Sequence, residues 1–360
     1  MKIRSLFKNK AQGEAFMKEK ATIRDVAAAA GVSAATVSYV LNGKKKVSEQ
    51  TKNAVLDVIR QMEYVPDLNA RGLSLKDTKL IGVVVPQTEP GSTLMFRNNF
   101  YSEILGSIEF HARQNGYHVL ISATDVTEDY LDLIRERNLD GVIIIGTYQN
   151  KFLSQLKQLD VPVVLVDSYC KYDWFHAIRI DDEKSSYLAT KYVLDAGHRR
   201  VGLVSGILHE NGVMKKRFSG YQRALADYGI PYREEYLFEG NVDYDSGVNI
   251  AERISREKVD VTAVVAAADI FAIGLMKGFY EEGIRVPEDI SIIGFDDLDI
   301  SAYLTPGLTT IKQQISLKGE RAVNMLVQNM ADPNMAKVEE ILPVRLVERA
   351  SVKRIDPDRE

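Results

Sequence analysis

Residues 21–43 read ATIRDVAAAAGVSAATVSYVLNG. Thr22 can cap a helix over residues 23–30, because a threonine hydroxyl accepts a hydrogen bond from a backbone amide of the first turn. Asp25 stands three residues further on, where it would form an imperfect capping box. Gly31 then ends the helix, since glycine readily adopts the left-handed backbone that follows many helices. The stretch therefore predicts a short helix followed by a tight turn.

A second helix is predicted over residues 34–41, with Ser33 as its cap. The apolar residues of the two helices would hold them at the angle of a helix-turn-helix: Val26, Ala27, Ala30, Val32, Val37 and Leu41. Ser48 caps a third helix, whose inner face closes the small core: Thr51, Ala54, Val55, Val58 and Met62. The segment is predicted to be all-α.

In a helix-turn-helix the amino-terminal end of the second helix enters the major groove of DNA. Side chains at that end reach base edges or phosphates. We therefore predict DNA contacts from Thr22, Ser33, Ala34, Ala35, Thr36, Ser38, Tyr39 and Asn42. Three lysines follow in a loop, where they either contact phosphates or form a solvated turn: Lys44, Lys45 and Lys46.

The charges of the chain are unevenly distributed. Residues 1–76 carry 14 Lys and Arg against 7 Asp and Glu, and the remainder carries 32 against 43. A basic segment on an acidic body indicates contact with a polyanion such as DNA. No run approaches the roughly 18 apolar residues that span a bilayer, and the start lacks the features of a signal peptide. We expect a cytoplasmic protein with no membrane contact.

The composition is that of a globular protein, with 45% hydrophobic and 27% charged residues. Cys170 is the single cysteine, which excludes an internal disulfide and a multi-thiolate metal site.

From residue 80 to residue 305, short apolar runs alternate with helical patterns. The runs are typical of strands buried on both faces, and they cover residues 80–85, 119–122, 141–145, 163–166, 201–204, 263–266 and 290–293. Alternation of this kind predicts doubly wound parallel sheets. Its length favours two similar lobes, with a crossover near residues 179–181. Because parallel sheets bind ligands at the carboxyl ends of their strands, we expect a ligand cleft between the lobes.

Residues 21–43, together with YVPDLNARGL at residues 64–73, resemble the LacI/GalR family of bacterial regulators. The resemblance continues in the family's order at residues 198–202, 217–221, 269–274, 286–297 and 308–311. It covers essentially all of the chain after residue 20. It implies an all-α helix-turn-helix head joined to an α/β effector domain, which consists of two doubly wound parallel-sheet lobes of the periplasmic-binding-protein type.

These patterns divide the chain into four parts. Residues 1–20 are an extension outside the family pattern, expected to be disordered, with an arm that touches DNA as the alternative. Residues 21–65 form the DNA-binding domain, residues 66–78 a hinge helix and linker, and residues 79–360 the effector-binding and dimerisation domain. Lobe 1 is predicted at about 79–180 and 310–338, and lobe 2 at about 181–309 and 339–355.

The resemblance implies that residues 66–73 form a hinge that becomes helical on operator DNA. A helix of two turns that contains Gly72 is not stable alone in water. Paired with the hinge of a second subunit in the minor groove, it would wedge Leu73 between base steps; a plain linker is the alternative. The predicted hinge contacts are Asn69, Ala70, Arg71 and Leu73. A homodimer on a near-palindromic operator follows from the same resemblance.

The resemblance also assigns effector binding to Arg217, in the stretch RFSGY, and to Asp296, in the stretch GFDD. A guanidinium donates to neighbouring oxygens and a carboxylate accepts from hydroxyls, so the two suit a polyhydroxylated ligand. Topology adds Ser102 and Asp167, for which helix capping is the alternative. The complete predicted set is Ser102, Asp167, Arg217, Ala268, Asp269 and Asp296.

Two departures from the family pattern affect the prediction of which ligand binds in the cleft. Many sugar-binding relatives carry Asn where this chain has Ala268, and several carry a stacking aromatic residue near Val242. The candidates for the missing aromatic face are Tyr244, or Trp174 with Phe175.

The sequence thus predicts a DNA-binding repressor of carbohydrate-utilisation genes, a homodimer or larger oligomer, controlled by a small carbohydrate or derivative. Control by a sugar phosphate or a protein corepressor is the alternative. No cofactor, metal or catalysis is expected. Asp296 and Asp297 would point to opposite faces of a strand, and the chain has neither a phosphate loop nor metal-ligand spacing.

Overall fold

The chain forms two compact units, the first ending at Thr78 and the second beginning at Lys79. The computed structural model describes residues 21–41, 47–64, 78–86, 98–124, 129–146, 150–159, 161–170, 173–210 and 212–356. Several predicted sites lie outside these ranges: residues 1–20, Asn42, Lys44, Lys45, Lys46, Asn69, Ala70, Arg71 and Leu73. Within the described ranges, no helix is long and apolar enough to cross a membrane.

The first unit contains three helices: α1 Ile23–Ala30, α2 Ala34–Leu41 and α3 Glu49–Gln61. The first two have the predicted bounds, and the third begins directly after its predicted cap, Ser48. The capping box is complete, because the backbone amide of Thr22 donates to the Asp25 carboxylate at 2.8 Å and the Thr22 hydroxyl accepts from the Asp25 amide at 3.4 Å. Hydrogen bonds from Thr22 lower the pKa of Asp25. Gly31 ends α1 with a φ of 66°.

The core of this unit is made of small side chains: Val26, Ala27, Val37, Val40 and Val55. Val40 takes the buried position that was predicted for Leu41, which is only half-buried. Because α2 turns Val37 and Val40 inward, its opposite face carries the exposed Ala35 and Tyr39.

The second unit contains two six-stranded sheets. The first consists of β1 Leu80–Pro86, β2 His118–Thr124, β3 Gly141–Ile145, β4 Val163–Val166, β5 His176–Ile180 and β11 Glu339–Leu342, in the order β11-β5-β4-β3-β1-β2. The second consists of β6 Val201–Ser205, β7 Leu237–Glu239, β8 Ala263–Ala266, β9 Ser291–Asp296, β10 Thr309–Lys312 and β12 Arg345–Val347, in the order β12-β10-β9-β8-β6-β7. Their strands pair in parallel, except for β10 with β12.

Helices connect these strands: α4 Asn99–Gln114, α5 Asp129–Glu136, α6 Asn150–Leu156, α7 Asp182–Asp195, α8 Val213–Asp227, α9 Tyr244–Glu257, α10 Asp269–Glu281 and α11 Ile315–Ala331. They cover both faces of the second sheet. Leu203 packs in a cluster with residues of α7 and α8, and its neighbour Val204 packs with residues of α9 and α10. Successive strand residues point to opposite faces, so the doubly wound prediction is confirmed.

The predicted lobe boundaries near residues 310 and 339 are wrong. β10 pairs with β9 in the second sheet, and β11 pairs with β5 in the first. The chain therefore crosses between lobes after Ile180, after Lys312 and after Leu342. The hydrophobic pattern missed this because β10 buries two threonines in place of an apolar run, and because β11 and β12 are short edge strands with exposed positions.

The helices α7 and α8 approach each other closely at Gly220. A Cβ atom there would overlap the carbonyl oxygen of Glu183 and lie 2.8 Å from the amide nitrogen of Tyr187. Since backbone atoms cannot move aside as a flexible side chain can, we expect Gly220→Ala to lower the free energy of unfolding by about 1–3 kcal/mol. Urea unfolding of the purified protein measures this loss.

The matched control is Gly106→Ala in α4, where a Cβ atom meets nothing within 4 Å. It should raise the free energy of unfolding by roughly 0.5–1 kcal/mol, because alanine favours a helix over glycine. Equal effects from the two substitutions would contradict the close packing at Gly220.

Candidate functional site

Aspartates stand at the carboxyl ends of strands in both sheets of the second unit. Asp167 follows β4 and Asp296 ends β9. Their φ angles are 52° and 128°, and that of Asp297 is 57°. Backbone of this kind in a residue other than glycine costs on the order of 1–3 kcal/mol and persists where the surrounding structure holds it. Because parallel sheets bind ligands at this edge, these residues mark the candidate cleft.

Arg217 lies on α8 and is buried. Its Nε atom donates to Oδ1 of Asp182 at 2.8 Å, and its Nη1 atom donates to the carbonyl oxygen of Ala267 at 2.5 Å. The guanidinium lies over the ring of Phe295, 3.7 Å from the centroid. These contacts hold the predicted effector-binding arginine in one orientation.

Asp182 is the partner of Arg217 and was not predicted. It is the first residue of α7 and is wholly buried. Its other carboxylate oxygen accepts a hydrogen bond from the Tyr169 hydroxyl at 2.8 Å. Burial raises the pKa of Asp182, and the charge of Arg217 opposes this rise. The one signal in the sequence is its place directly after the predicted crossover at residues 179–181.

Asp296 carries an unusual carboxyl group. Burial raises its pKa to about 7, although the positive charge of Arg217 and a hydrogen bond from Gln313 act in the opposite direction. That hydrogen bond runs from Nε2 of Gln313 to Oδ1 of Asp296 at 2.5 Å. Burial therefore makes this carboxyl group easier to protonate than an ordinary aspartate, and Arg217 and Gln313 favour its charged form.

A buried lysine connects the two aspartates of the cleft. Lys318 on α11 is wholly buried, and its ammonium donates to both carboxylate oxygens of Asp167 at 2.8 and 2.7 Å. It also donates to Oε1 of Gln313 at 2.6 Å. Asp167, Lys318, Gln313 and Asp296 thus form a continuous hydrogen-bonded chain from the first sheet to the second. Lys318 was not predicted, because a lysine in an amphipathic helix is usually exposed.

Two aromatic residues of α4 lie beside this chain. Burial raises the pKa of Tyr101 to about 12, and the charges of Asp167 and Asp296 act in the same direction. Phe100 meets Tyr101 edge to face at 5.3 Å between ring centroids, and the Lys318 ammonium lies 5.6 Å from the Phe100 centroid.

Ser102, predicted for the cleft, is the next residue of α4 and is exposed. At the start of the same helix, Asn99 accepts a hydrogen bond through Oδ1 from the Tyr244 hydroxyl, at 3.5 Å. Because Tyr244 belongs to α9, this hydrogen bond joins the two lobes.

The predicted aromatic face of Trp174 and Phe175 is wrong. Both residues directly precede β5, so they lie at its amino end, whereas Asp167 lies at the carboxyl end of the neighbouring β4. The Lys157 ammonium stands 4.4 Å from the Trp174 ring centroid.

Asp269 has a different role from the predicted effector contact. It is wholly buried at the start of α10, and its carboxylate accepts hydrogen bonds from the Thr310 hydroxyl at 2.7 Å, the Leu298 amide at 2.9 Å and the Ser301 hydroxyl at 2.6 Å. These bonds fix the loop that follows Asp296. Ala268 is buried before the helix and offers no side-chain cap.

Asp297 is bound away from its neighbour Asp296. Its carboxylate accepts from Lys312 at 2.9 Å and from Arg349 at 2.6 Å. The two aspartates therefore do not form a carboxylate pair.

The predicted DNA-binding residues of the first unit fall into two groups. Four of them are exposed: Thr22, Ser33, Ala35 and Tyr39. The other three are half-buried: Ala34, Thr36 and Ser38. The Ser33 hydroxyl accepts from the Thr36 amide at 3.1 Å and so caps α2.

Two family models match the chain. Residues 22–67 match bacterial regulatory proteins of the lacI family, and residues 190–352 match a periplasmic binding protein-like domain. The transcriptional repressor PurR of Vibrio parahaemolyticus serotype O3:K6 is 32% identical over 343 residues, which cover 93% of this chain and 100% of that protein. The chain belongs to the lacI family of bacterial regulatory proteins. The predicted family is confirmed, and this lacI-family protein is a DNA-binding transcription regulator with an effector-binding domain.

Solved structures extend the comparison of this lacI-family regulator over both units. The lac repressor dimer bound to operator and the anti-inducer ONPF has a TM-score of 0.78 and 28% identity, covering 93% of this chain and 100% of that chain. The transcriptional regulator CelR in complex with cellobiose has a TM-score of 0.68 and 26% identity, covering 92% and 100%. The predicted fold class is confirmed.

The ion pair of Lys318 with Asp167 is open to a stability test. We expect Lys318→Met to lower the free energy of unfolding by about 3–5 kcal/mol, because it leaves a buried carboxylate without its cation. Adding Asp167→Asn should recover a large part of this loss, since asparagine removes the unpaired charge and tolerates a positive φ. Urea unfolding measures all variants.

Lys191→Met is the control, because Lys191 pairs with Asp195 at the surface. Its loss should be far smaller than that of Lys318→Met, because exposed ion pairs contribute little to stability. A loss of the same size for Lys318→Met would contradict the buried ion pair.

Proposed function

We propose that this regulator represses its target genes as a homodimer on a near-palindromic operator, and that a neutral carbohydrate in the cleft controls its affinity for DNA. One observation supports the ligand class most directly. Within the described part of the chain, Nη2 of Arg217 and Oδ2 of Asp296 make no hydrogen bond, although the other polar atoms of both side chains are engaged. A donor and an acceptor are therefore held ready for a ligand.

This pair of atoms matches the chemistry of a sugar. A hydroxyl both donates and accepts, so neighbouring hydroxyls can accept from Nη2 of Arg217 and donate to Oδ2 of Asp296. The Tyr101 phenol stays protonated at neutral pH because its pKa is about 12, and it can serve as a further donor. The ring of Phe100 offers an apolar face beside it.

The charges of the cleft favour a free sugar over a sugar phosphate. Three carboxyl groups, of Asp167, Asp182 and Asp296, stand against two cations, Arg217 and Lys318, and both cations are already paired with a carboxylate. A phosphate group with a charge of about −1.5 to −2 would meet no unpaired cation among these groups and at least one further carboxyl group. CelR, which this chain resembles along most of its length, was solved with cellobiose, and this supports the same ligand class.

The homodimer is supported by exposed apolar side chains on the second lobe. Tyr303 is 85% exposed and Tyr280 is 81% exposed, and Ile300 is exposed in the turn beside Tyr303. Ile300 and Tyr303 lie in one turn, where the Tyr303 amide donates to the Ile300 carbonyl oxygen at 2.9 Å, and contiguous exposed apolar side chains mark protein interfaces. A second copy of this chain is the proposed partner, and the similar lac repressor was solved as a dimer.

Operator contacts are proposed for the surface around the amino-terminal end of α2, where Ser33, Ala35 and Tyr39 are accessible. The proposed hinge contacts of residues 69–73 lie outside the described residues. A ligand that binds one lobe arrangement better than the other shifts the equilibrium between them, and the dimer transmits this shift to the DNA-binding units.

A thermal-unfolding screen tests the ligand class. The panel holds free monosaccharides and disaccharides, sugar phosphates and nucleobases. We expect a free sugar to stabilise the protein, by about 2.7 kcal/mol at a concentration of 100 times its dissociation constant. Asp296→Asn should abolish the stabilisation because the amide replaces an acceptor oxygen, and Arg217→Lys should weaken it because lysine lacks the planar fork.

Asp289→Asn is the matched control, since Asp289 pairs with Arg285 at the surface of the second lobe. It should respond to the sugar as the natural chain does. Stabilisation by sugar phosphates alone, or by no carbohydrate in the panel, would contradict the proposed ligand class.

Tyr39 tests the DNA interface. With an operator selected from random-sequence duplexes, we expect Tyr39→Ala to weaken specific binding by about 1–3 kcal/mol, the value of a good base contact. The salt dependence of binding should stay nearly unchanged, because tyrosine neutralises no phosphate. Tyr232→Ala, an exposed tyrosine of the second unit, is the control. Equal affinity of the Tyr39→Ala variant and the natural chain in a fluorescence-anisotropy titration would remove Tyr39 from the interface.

A further inference from the structure

The outward face of α2 begins with a short apolar side chain. Val37 and Val40 of this helix belong to the core of the first unit, which leaves Ala35 and Tyr39 exposed. These two residues are four positions apart, so they are neighbours on one face of the helix. Ala35 is the second residue of α2, and the amino-terminal residues of such a helix contact base edges. The part of α2 that meets a base there is therefore a methyl group.

The polar groups at the same end of the helix bind each other. The Ser33 and Thr36 hydroxyls are hydrogen-bonded at 2.9 Å, and the Thr36 amide donates to Oγ of Ser33 at 3.1 Å. Paired hydrogen bonds to one base need two groups in a fixed geometry, such as those of a guanidinium or an amide. The two hydroxyls cap α2 and do not supply such a pair.

The side chains of α2 exclude paired readout of three of the four bases. In the major groove, arginine or lysine binds the two acceptors of guanine, asparagine or glutamine binds adenine, and an acidic residue accepts from cytosine. The eight residues of α2, AATVSYVL, include none of these side chains. Thymine alone presents a methyl group there, and the contact that recognises this methyl is apolar. Thymine is therefore the base that matches the exposed face of α2.

We propose that this regulator reads its operator through thymine methyl groups, and that the methyl group of Ala35 packs against the 5-methyl group of one thymine in each half-site. The inference rests on the operator binding proposed above and names the feature of the DNA that α2 recognises. A short side chain at this position lets the helix approach the base edges closely, which contact between two methyl groups requires.

Deoxyuridine tests this contact, because it lacks only the 5-methyl group of thymidine and pairs with adenine in the same way. The starting duplex is an operator selected from random-sequence DNA with the full chain. Each thymine of the half-site is then replaced in turn, in one half-site and in both. At one position at least, we expect binding to weaken about fourfold for one half-site and about tenfold or more for both, the value of burying one methyl group in each. Fluorescence anisotropy measures the affinities.

Ala35→Gly removes the protein side of the contact. Replacement of the same thymine should change the affinity of this variant by less than about twofold, as in a double-mutant cycle whose two partners interact. Ala28→Gly, at an exposed alanine of α1, is the matched control. It carries the same helix penalty and should keep the full sensitivity of the natural chain to deoxyuridine.

The outcomes separate this inference from the proposed function. Selection of no specific duplex would overturn operator binding, and this inference with it. A specific operator overturns this inference alone in three cases: its half-site contains no thymine, no replacement by deoxyuridine weakens binding, or Ala35→Gly shows the same loss on replacement as the natural chain.

Discussion

A lysine ammonium that has lost contact with water must be surrounded by acceptors, and this requirement governs the centre of the effector domain. Lys318 meets it with both oxygens of Asp167 and with Gln313, which in turn donates to Asp296. Removing any one partner would leave a buried polar group unsatisfied. The ends of β4 and β9, which belong to different sheets, are therefore held in a defined relation to each other.

This chain of hydrogen bonds also decides which polar groups remain for a ligand. Both oxygens of Asp167 are used by Lys318, and Asp269 is used by the loop after β9. The remaining atoms are a donor on Arg217 and an acceptor on Asp296, which together match the two hydrogen-bonding roles of a sugar hydroxyl. Asp167 and Asp296 both have positive φ angles. These hydrogen bonds explain why such backbone is kept, since strained backbone persists where several contacts hold it.

Sequence patterns within a few residues predicted the helices of the head correctly, whereas the assignment of distant strands to the two sheets was partly wrong. The three head helices could be predicted to within a residue or two, because Thr22, Ser33 and Ser48 hydrogen-bond to amides three positions away. Strands β10 and β11 were assigned to the wrong lobes, because buried threonines and exposed edge positions do not show the apolar run of a central strand. Because the two lobes are alike, a short edge strand could pair with either sheet, and the sequence does not show which one.

By itself, the sequence determined the family, the helix-turn-helix head, the alternation of strands and helices, and Arg217 and Asp296 as candidates for the cleft. Only the tertiary structure decided how these residues are used. Arg217 pairs with Asp182, which is 35 positions away in the sequence, and Lys318 pairs with Asp167, which is 151 positions away. Capping and periodicity act within a few residues, so a sequence shows them directly. Which buried charges neutralise each other depends on which segments the folded sheets bring together.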